Sequence, residues 1–240
     1  MKSNARRVKT LLFDLDGTLI RLDMAAFLPR YFQALGGYFR HLVDPRALVG
    51  HILACTELMV VNRDAGVTNQ EAFMQAFLPR LGLPAEQVLP LFDMFYAEEF
   101  PRLGGPEVAS PPAQQAVQLA LAAGLEVVVA TNPVFPLQAI HQRLVWGGLD
   151  RYPFRLVTAY EGMHFCKPHV EYYQEILALL GREPEECWMV GNDVTEDMVA
   201  GRLGIRTFLV EDFLIPADGQ PAPTRRGSMA DLPAFVTELA

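Results

Sequence analysis

Short apolar runs alternate with helical patterns in the second half of this chain, and this alternation limits the possible folds more than any other feature. Strands that alternate with helices form a parallel sheet with helices on both of its faces. An earlier apolar run at 8–15 predicts one more buried strand. The predicted strands of the second half are 125–130, 155–158, 187–190 and 205–210, and the predicted helices are 113–123, 133–146, 168–180 and 195–203.

A long helical stretch separates the first strand from this alternating part. From residue 24 to about residue 100 the periodicity is helical almost throughout, with room for four helices. The breaks between these helices are predicted at 36–37, 44–45, 62–67 and 82–84. At the other end, a loop is predicted for 211–226 and a final amphipathic helix from about residue 228.

The composition is that of an ordinary globular protein, and it excludes several classes of partner. The formal net charge is −8, and no Lys/Arg run forms a stripe for a phosphate backbone, so no nucleic acid is expected. No apolar segment approaches the roughly 20 residues of a membrane span, so no membrane is expected. The three cysteines suit reduced thiols better than disulfides. We predict a cytoplasmic protein, either a monomer or a homodimer.

Polar residues stand directly after three of the predicted strands. They are the Asp-Leu-Asp-Gly-Thr run at 14–18, Thr131-Asn132, and Gly-Asn-Asp at 191–193 with Asp197 four residues after the last of these. In an open parallel sheet, ligands bind beyond the carboxyl ends of the strands, so the three runs should converge on one crevice. Singly, each run could be a turn, a helix start or a helix cap, whereas their convergence indicates a functional site.

Four carboxylates would meet in that crevice, from Asp14, Asp16, Asp193 and Asp197. Closely packed like charges raise one another's pKa unless a cation lies between them. Oxygen ligands suit a hard cation, and Mg²⁺ binds through one or two carboxylates while it keeps several waters. Lys167 would add the positive charge that a phosphoryl group in transit requires. The sequence therefore predicts Mg²⁺-dependent phosphoryl transfer.

These runs, in this order, resemble the motifs of the haloacid dehalogenase superfamily. The residues that carry the resemblance are 14–18, Thr131, Lys167-Pro168 and 191–193 with Asp197. The resemblance extends over residues 8–210. It implies an α/β fold with a Rossmann-like three-layer core and a parallel sheet, formed by residues 1–21 and 104–240. It also implies an inserted all-helical cap domain, formed by residues 22–103.

The resemblance further implies the roles of the four aspartates. Asp14 would attack phosphorus and become an aspartyl-phosphate. Asp16 would protonate the leaving oxygen and later take a proton from water. Asp14, the main-chain carbonyl of Asp16 and Asp193 would bind Mg²⁺, with Asp197 in support. The expected cofactor is therefore Mg²⁺.

Four other residues are predicted to contact the substrate. Thr131 and Asn132 would bind the phosphoryl oxygens, and Lys167 would orient the nucleophile and neutralise charge. Arg63 lies in the predicted break at 62–67, where substrate-selecting loops often lie in capped enzymes of this type. A solvated turn is an equal alternative for Arg63.

The second aspartate, Asp16, distinguishes between two reactions. A halide leaves as a stable anion, whereas an alkoxide leaving group needs a proton. We therefore predict a phosphatase that hydrolyses a small phosphorylated metabolite through an aspartyl-phosphate. The alternatives are a phosphomutase with the same intermediate and a non-catalytic regulatory or binding module.

Overall fold

A six-stranded parallel sheet lies at the centre of the computed structural model, which describes residues 7–239. The strands are β1 (Thr10–Phe13), β2 (Glu126–Val129), β3 (Leu156–Val157), β4 (Cys187–Gly191), β5 (Arg206–Val210) and β6 (Arg225–Gly227). Their order is β3-β2-β1-β4-β5-β6, and each neighbouring pair is parallel. The predicted parallel sheet is confirmed, with β1 between β2 and β4.

Four consecutive helices follow β1, as predicted. They are α1 (Met24–Phe39), α2 (Pro45–Val61), α3 (Asn69–Leu81) and α4 (Ala85–Glu98). The later helices are α5 (Pro111–Ala122), α6 (Leu137–Trp146), α7 (Val170–Leu180) and α8 (Leu232–Leu239). Short 3-10 helices lie at Phe100–Leu103, Pro106–Val108, Pro184–Glu186, Met198–Leu203 and Met229–Asp231. None of the helices within residues 7–239 has both the length and the apolar character needed to cross a membrane.

Each face of the sheet has its own hydrophobic core, because successive side chains of a strand point to opposite faces. Leu11 and Phe13 of β1 belong to the larger core, which includes side chains of α1, α5, α6 and α8. Leu12, between them, belongs to the smaller core with side chains of α7. This arrangement is the predicted Rossmann-like three-layer fold. The division into a core (1–21 and 104–240) and a cap (22–103) stays a prediction, and residues 1–6 and 240 lie outside the described residues.

The predicted break at 36–37 is wrong, because α1 continues through both glycines. A side chain at Gly36 would place its Cβ 2.9 Å from the Cβ of Pro45, the first residue of α2. Gly36 therefore allows α1 and the start of α2 to approach closely. Glycine lowers helix propensity, but packing against a neighbouring helix outweighs that preference here.

Two further segments differ from the prediction in the type of structure that they form. The helix predicted at 195–203 begins only at Met198 and has 3-10 geometry, because the Asp193 carboxylate accepts the N–H groups of Thr195 and Glu196 in a turn. The loop predicted at 211–226 contains the start of β6. This strand has three residues, two of them exposed arginines, so it carries no apolar pattern.

The adjacent glycines of α1, Gly36 and Gly37, provide a matched test of the packing between α1 and α2. We expect Gly37→Ala to raise the free energy of unfolding by about 0.5–1 kcal/mol, because Gly37 is exposed with nothing within 4 Å of an added Cβ. Gly36→Ala should instead lower it by about 1–3 kcal/mol through the clash with Pro45. Urea denaturation measures both, and equal effects would contradict the close approach of α1 and α2.

Candidate active site

The carboxyl ends of β1, β2 and β4 deliver the predicted site residues to one edge of the sheet. Main-chain hydrogen bonds hold the strand ends in register, from Asp14 N to Val190 O at 2.8 Å and from Ala130 N to Phe13 O at 2.7 Å. A cavity of about 220 Å³ lies at this edge. Five sequence-predicted residues line this catalytic cavity, namely Asp14, Asp16, Thr131, Asn132 and Asp193.

Lys167 does not line the catalytic cavity, but it forms ion pairs with two carboxylates, of which one, Asp14, does. Its Nζ donates to Asp14 Oδ1 at 2.9 Å and to Asp197 Oδ1 at 2.6 Å, and its side chain is fully buried. Burial opposes the charge of Lys167, but the carboxylates of Asp14 and Asp197 raise its pKa well above the usual value. The ammonium group is therefore charged and fixes one oxygen of Asp14.

Asp197 supports the site from within the protein interior. Besides the bond from Lys167, its Oδ2 accepts the main-chain N–H of Asp193 at 3.0 Å. Burial raises the pKa of Asp197, and Lys167 acts in the opposite sense. A Cβ at Gly191 would lie 2.0 Å from Asp197 Oδ2, so only glycine fits at the end of β4. Asp197 thus positions Lys167 and Asp193 and does not line the cavity.

Asp16 forms an ion pair with Arg143, which was not among the predicted site residues. Arg143 Nη1 donates to Asp16 Oδ2, and the guanidinium lies over the ring of Phe135 at 4.6 Å from the centroid. Arg143 lines the catalytic cavity, is only 1% exposed, and its Nη2 has no partner among the described residues. The one available signal was a charged residue on the apolar face of α6, three positions after Ile140.

The environment of Asp16 suits proton transfer near neutral pH. Burial raises the pKa of Asp16 to about 6, Arg143 lowers it, and the neighbouring Asp14 raises it. Its Oδ1 is buried and has no hydrogen-bond partner within residues 7–239. A carboxyl group with a pKa close to the working pH can both give and accept a proton.

Glu196 is a second cavity residue that was not predicted. It lines the catalytic cavity, and its Oε1 accepts a hydrogen bond from Asn132 Nδ2 at 2.8 Å. Burial raises the pKa of Glu196 to about 7, Lys167 lowers it, and the carboxylates of Asp193 and Asp14 raise it. Its position between Asp193 and Asp197 in one turn was the only signal in the sequence. Burial beside two other carboxylates therefore favours the protonated form of Glu196.

Hydrogen bonds to the protein interior orient the segment after β2. The carbonyl of Thr131 accepts from Thr158 Oγ1 at 2.7 Å and from the Tyr172 hydroxyl at 2.9 Å. Asn132 Oδ1 accepts the main-chain N–H of Lys167 at 3.2 Å. These contacts hold Thr131 and Asn132 at the cavity wall, next to the segment that carries the lysine.

The oxygen atoms around the catalytic cavity fit a divalent cation of the magnesium type. Within residues 7–239, no three His, Cys, Asp or Glu side chains form a ready-made cluster for a metal ion. Mg²⁺ needs only one or two carboxylates, with waters and substrate oxygens as the other ligands. Asp14 and Asp193 line the same cavity, so their carboxylates are available for such an ion.

Arg63 lies apart from the catalytic cavity, on the loop after α2. Its guanidinium forms an ion pair with Glu171, and its Nη1 lies 3.5 Å from Nδ1 of His169. About half of its side chain is exposed. These contacts join the loop after α2 to the start of α7, and contact of Arg63 with substrate stays a prediction.

The buried charges around Lys167 lead to a stability prediction. We expect Lys167→Met to lower the free energy of unfolding by about 3–5 kcal/mol, because two buried carboxylates lose their cation. The double variant Lys167→Met/Asp197→Asn should regain part of the lost free energy of unfolding, because one of the two uncompensated carboxylates is then neutral. The control is Arg226→Met, which removes an exposed ion pair with Glu211 and should change stability by less than about 1 kcal/mol. Urea denaturation at pH 7 measures all three, and equal losses for the two single variants would contradict a buried charge network.

A family model and a set of solved structures match this chain. Residues 8–204 match the family model of haloacid dehalogenase-like hydrolases. A search among curated proteins found no match.

Solved structures with a similar fold include a dehalogenase, a phosphatase and a magnesium-bound protein. L-2-haloacid dehalogenase from Xanthobacter autotrophicus is 19% identical with a TM-score of 0.60, over 97% of this chain and 100% of that one. A phosphatase of this superfamily from Thermococcus onnurineus is 19% identical with a TM-score of 0.58, over 95% and 98%. YfnB from Bacillus subtilis, bound to magnesium, is 20% identical with a TM-score of 0.56, over 98% and 99%. At these identities the similarity shows the fold alone. Because the family model covers most of the sequence, the chain belongs to the haloacid dehalogenase-like hydrolases.

Proposed function

We propose that the protein is a Mg²⁺-dependent phosphatase that hydrolyses a small phosphorylated metabolite through an aspartyl-phosphate. The observation that carries this proposal is the ion pair of Asp16 and Arg143 beside Asp14. Asp16 has a pKa of about 6 at the cavity, so it can supply the proton that an alkoxide leaving group needs. Displacement of a halide needs no such proton.

In the first half of the reaction, Asp14 is the nucleophile. Lys167 holds Asp14 Oδ1 at 2.9 Å, so the carboxylate is oriented before the substrate arrives. A carboxylate oxygen of Asp14 bonds to phosphorus as the ester P–O bond breaks, and Asp16 gives its proton to the departing oxygen. The alcohol leaves and Asp14 is an aspartyl-phosphate.

In the second half, water attacks the phosphorus of this intermediate. Asp16, now a carboxylate, takes the proton of the water, and the bond between phosphorus and Asp14 breaks. One ester and one water thus give one alcohol and inorganic phosphate. Arg143 is a positioning residue, because its bond to Asp16 fixes the orientation of that carboxyl group throughout the cycle.

Countercharge for the phosphoryl group would come from several sides of the cavity. Thr131 and Asn132 would bind phosphoryl oxygens, and the ammonium of Lys167 would balance their charge. Asp14, Asp193 and the main-chain carbonyl of Asp16 would hold Mg²⁺, which supplies further countercharge to phosphoryl oxygens. Asp197 would act indirectly, through its bonds to Lys167 and to the N–H of Asp193.

The remaining expectations are also part of this proposal. Residues 22–103 would act as the cap that excludes water during the reaction. The protein would act in the cytoplasm, where the free thiols of Cys55, Cys166 and Cys187 would stay reduced. It would be a monomer or a homodimer. A phosphomutase would return the phosphoryl group to the bound product, so phosphorus NMR of the products distinguishes it from a phosphatase. A non-catalytic module would release no phosphate from any ester.

The nucleophile is tested by Asp14→Asn. We expect this variant to lose Mg²⁺-dependent release of phosphate from p-nitrophenyl phosphate, because an amide does not form the acyl-phosphate. Asp44→Asn is the matched control, since Asp44 is an exposed helix cap of α2 that asparagine can replace. Full activity of Asp14→Asn would rule out the mechanism.

The role of Arg143 is tested by the pH dependence of kcat/KM. The reaction needs protonated Asp16, so kcat/KM for an alkyl phosphate should fall as the pH rises through about 6. Arg143 lowers the pKa of Asp16, so Arg143→Gln should move this limb to higher pH, while Arg143→Lys should move it less. Ionisation of the substrate is the same for every variant and cancels in the comparison. An unmoved limb in Arg143→Gln would show that the two residues are not coupled.

A further inference from the structure

A second, larger cavity lies next to the catalytic cavity. Its volume is about 430 Å³, and it lies between the helices α1–α4 and residues of the segment 134–138. Met24, Val134 and Phe135 line both cavities. The two cavities therefore adjoin each other at these three side chains, and we call the second space the leaving-group cavity.

The wall of the leaving-group cavity is mostly apolar and aromatic. Side chains of α1, α2, α3 and α4 contribute to it, among them Leu28, Phe32, Ile52, Phe73, Met74 and Phe92. Two tyrosines of the wall, Tyr31 and Tyr96, bond to each other through their hydroxyls at 2.8 Å. Apolar pockets of this size bind ligands by removing apolar surface from water and by ring contacts.

The charged residues of the leaving-group cavity are both acidic. Asp93 and Glu161 line it, and no Lys, Arg or His of the described residues does so. Glu161 accepts the main-chain N–H of Leu137 at 3.0 Å, which holds its carboxylate in place. A second anionic group in this cavity would be repelled by these two carboxylates, and no cationic side chain of the described residues lines the cavity to offset them.

We propose that this cavity binds the leaving group of the substrate, and that the substrate is a phosphate monoester of an apolar, preferably aromatic, alcohol. Outside its phosphoryl group the substrate is neutral or cationic. Esters that carry a second phosphate or a carboxylate are poor substrates. This inference rests on the proposed phosphatase function and narrows its substrate class.

The first experiment compares three primary alkyl phosphates with the same kind of leaving oxygen. They are ethyl phosphate, 2-phenylethyl phosphate and the phosphate ester of 3-hydroxypropanoate. We expect kcat/KM for the phenylethyl ester to exceed that for the ethyl ester by about 10-fold or more, because apolar pockets discriminate on this scale. The carboxylate ester should have a lower kcat/KM than the ethyl ester.

The second experiment changes the wall of the cavity. Phe73→Ala should lower the ratio of kcat/KM for the phenylethyl ester to that for the ethyl ester by about 10-fold. The double variant Asp93→Asn/Glu161→Gln should raise the ratio of the carboxylate ester to the ethyl ester. Glu98→Gln, an exposed residue of α4 outside the cavity, is the control and should change neither ratio.

The outcomes separate this inference from the phosphatase function. If the esters are hydrolysed without preference for the phenylethyl group, or if the carboxylate ester is preferred, the inference is wrong and the phosphatase function stands. If none of the three is hydrolysed although other phosphate esters are, the inference is wrong and the phosphatase function stands. If no phosphate ester is hydrolysed, the phosphatase function fails, and fluorescence titration with 1-naphthol tests the cavity alone. Binding of 1-naphthol that Phe73→Ala weakens would then support an aromatic site, and its absence would overturn the inference.

Discussion

The ion pairs of one buried lysine connect the two segments, after β1 and after β4, that carry the aspartates of the site. Lys167 bonds to Asp14, directly after β1, and to Asp197, in the turn after β4. A buried ammonium is unfavourable unless carboxylates compensate it, and each of these carboxylates in turn needs the lysine. The position of Asp197 also depends on the backbone of β4, because the missing side chain of Gly191 leaves the space that the Asp197 carboxylate occupies. That carboxylate in turn accepts the main-chain N–H of Asp193. Loss of any one of these groups would disturb the others.

The two aspartates of the run at 14–18 each form an ion pair with a different cationic side chain. Lys167 holds the proposed nucleophile Asp14, whereas Arg143 holds the proposed acid and base Asp16. Burial nevertheless keeps the pKa of Asp16 near 6, so a proton is available close to neutral pH. Similar side chains can thus take different roles because their surroundings differ. The carboxylates of Asp193 and Glu196 line the same cavity, where a divalent ion would fit.

Different parts of the fold line the two adjoining cavities. The sheet edge and Arg143 of α6 provide charged groups of the catalytic cavity, while the four helices after β1 provide much of the apolar wall of the leaving-group cavity. Hydrogen bonds fix the start of α3 against the segment 160–165, for example from Asn69 N to Met163 O at 2.8 Å and from Gln70 N to Tyr160 O at 2.8 Å. The apolar wall is therefore held in a definite position relative to Asp14. In the proposed reaction, the helices would therefore select the substrate without altering the charges at the sheet edge.

The sequence by itself determined the parallel sheet, the four inserted helices and the meeting of Asp14, Asp16, Thr131, Asn132 and Asp193, because strand ends of a parallel sheet share one edge. Local patterns could not reveal the pair of Arg143 with Asp16, which are 127 positions apart, or the place of Glu196 in the cavity wall. They also missed the helical course of Gly36-Gly37, the charged strand β6 and the partner of Arg63. These features depend on contacts with other segments of the chain, and only the tertiary structure decides which segments meet.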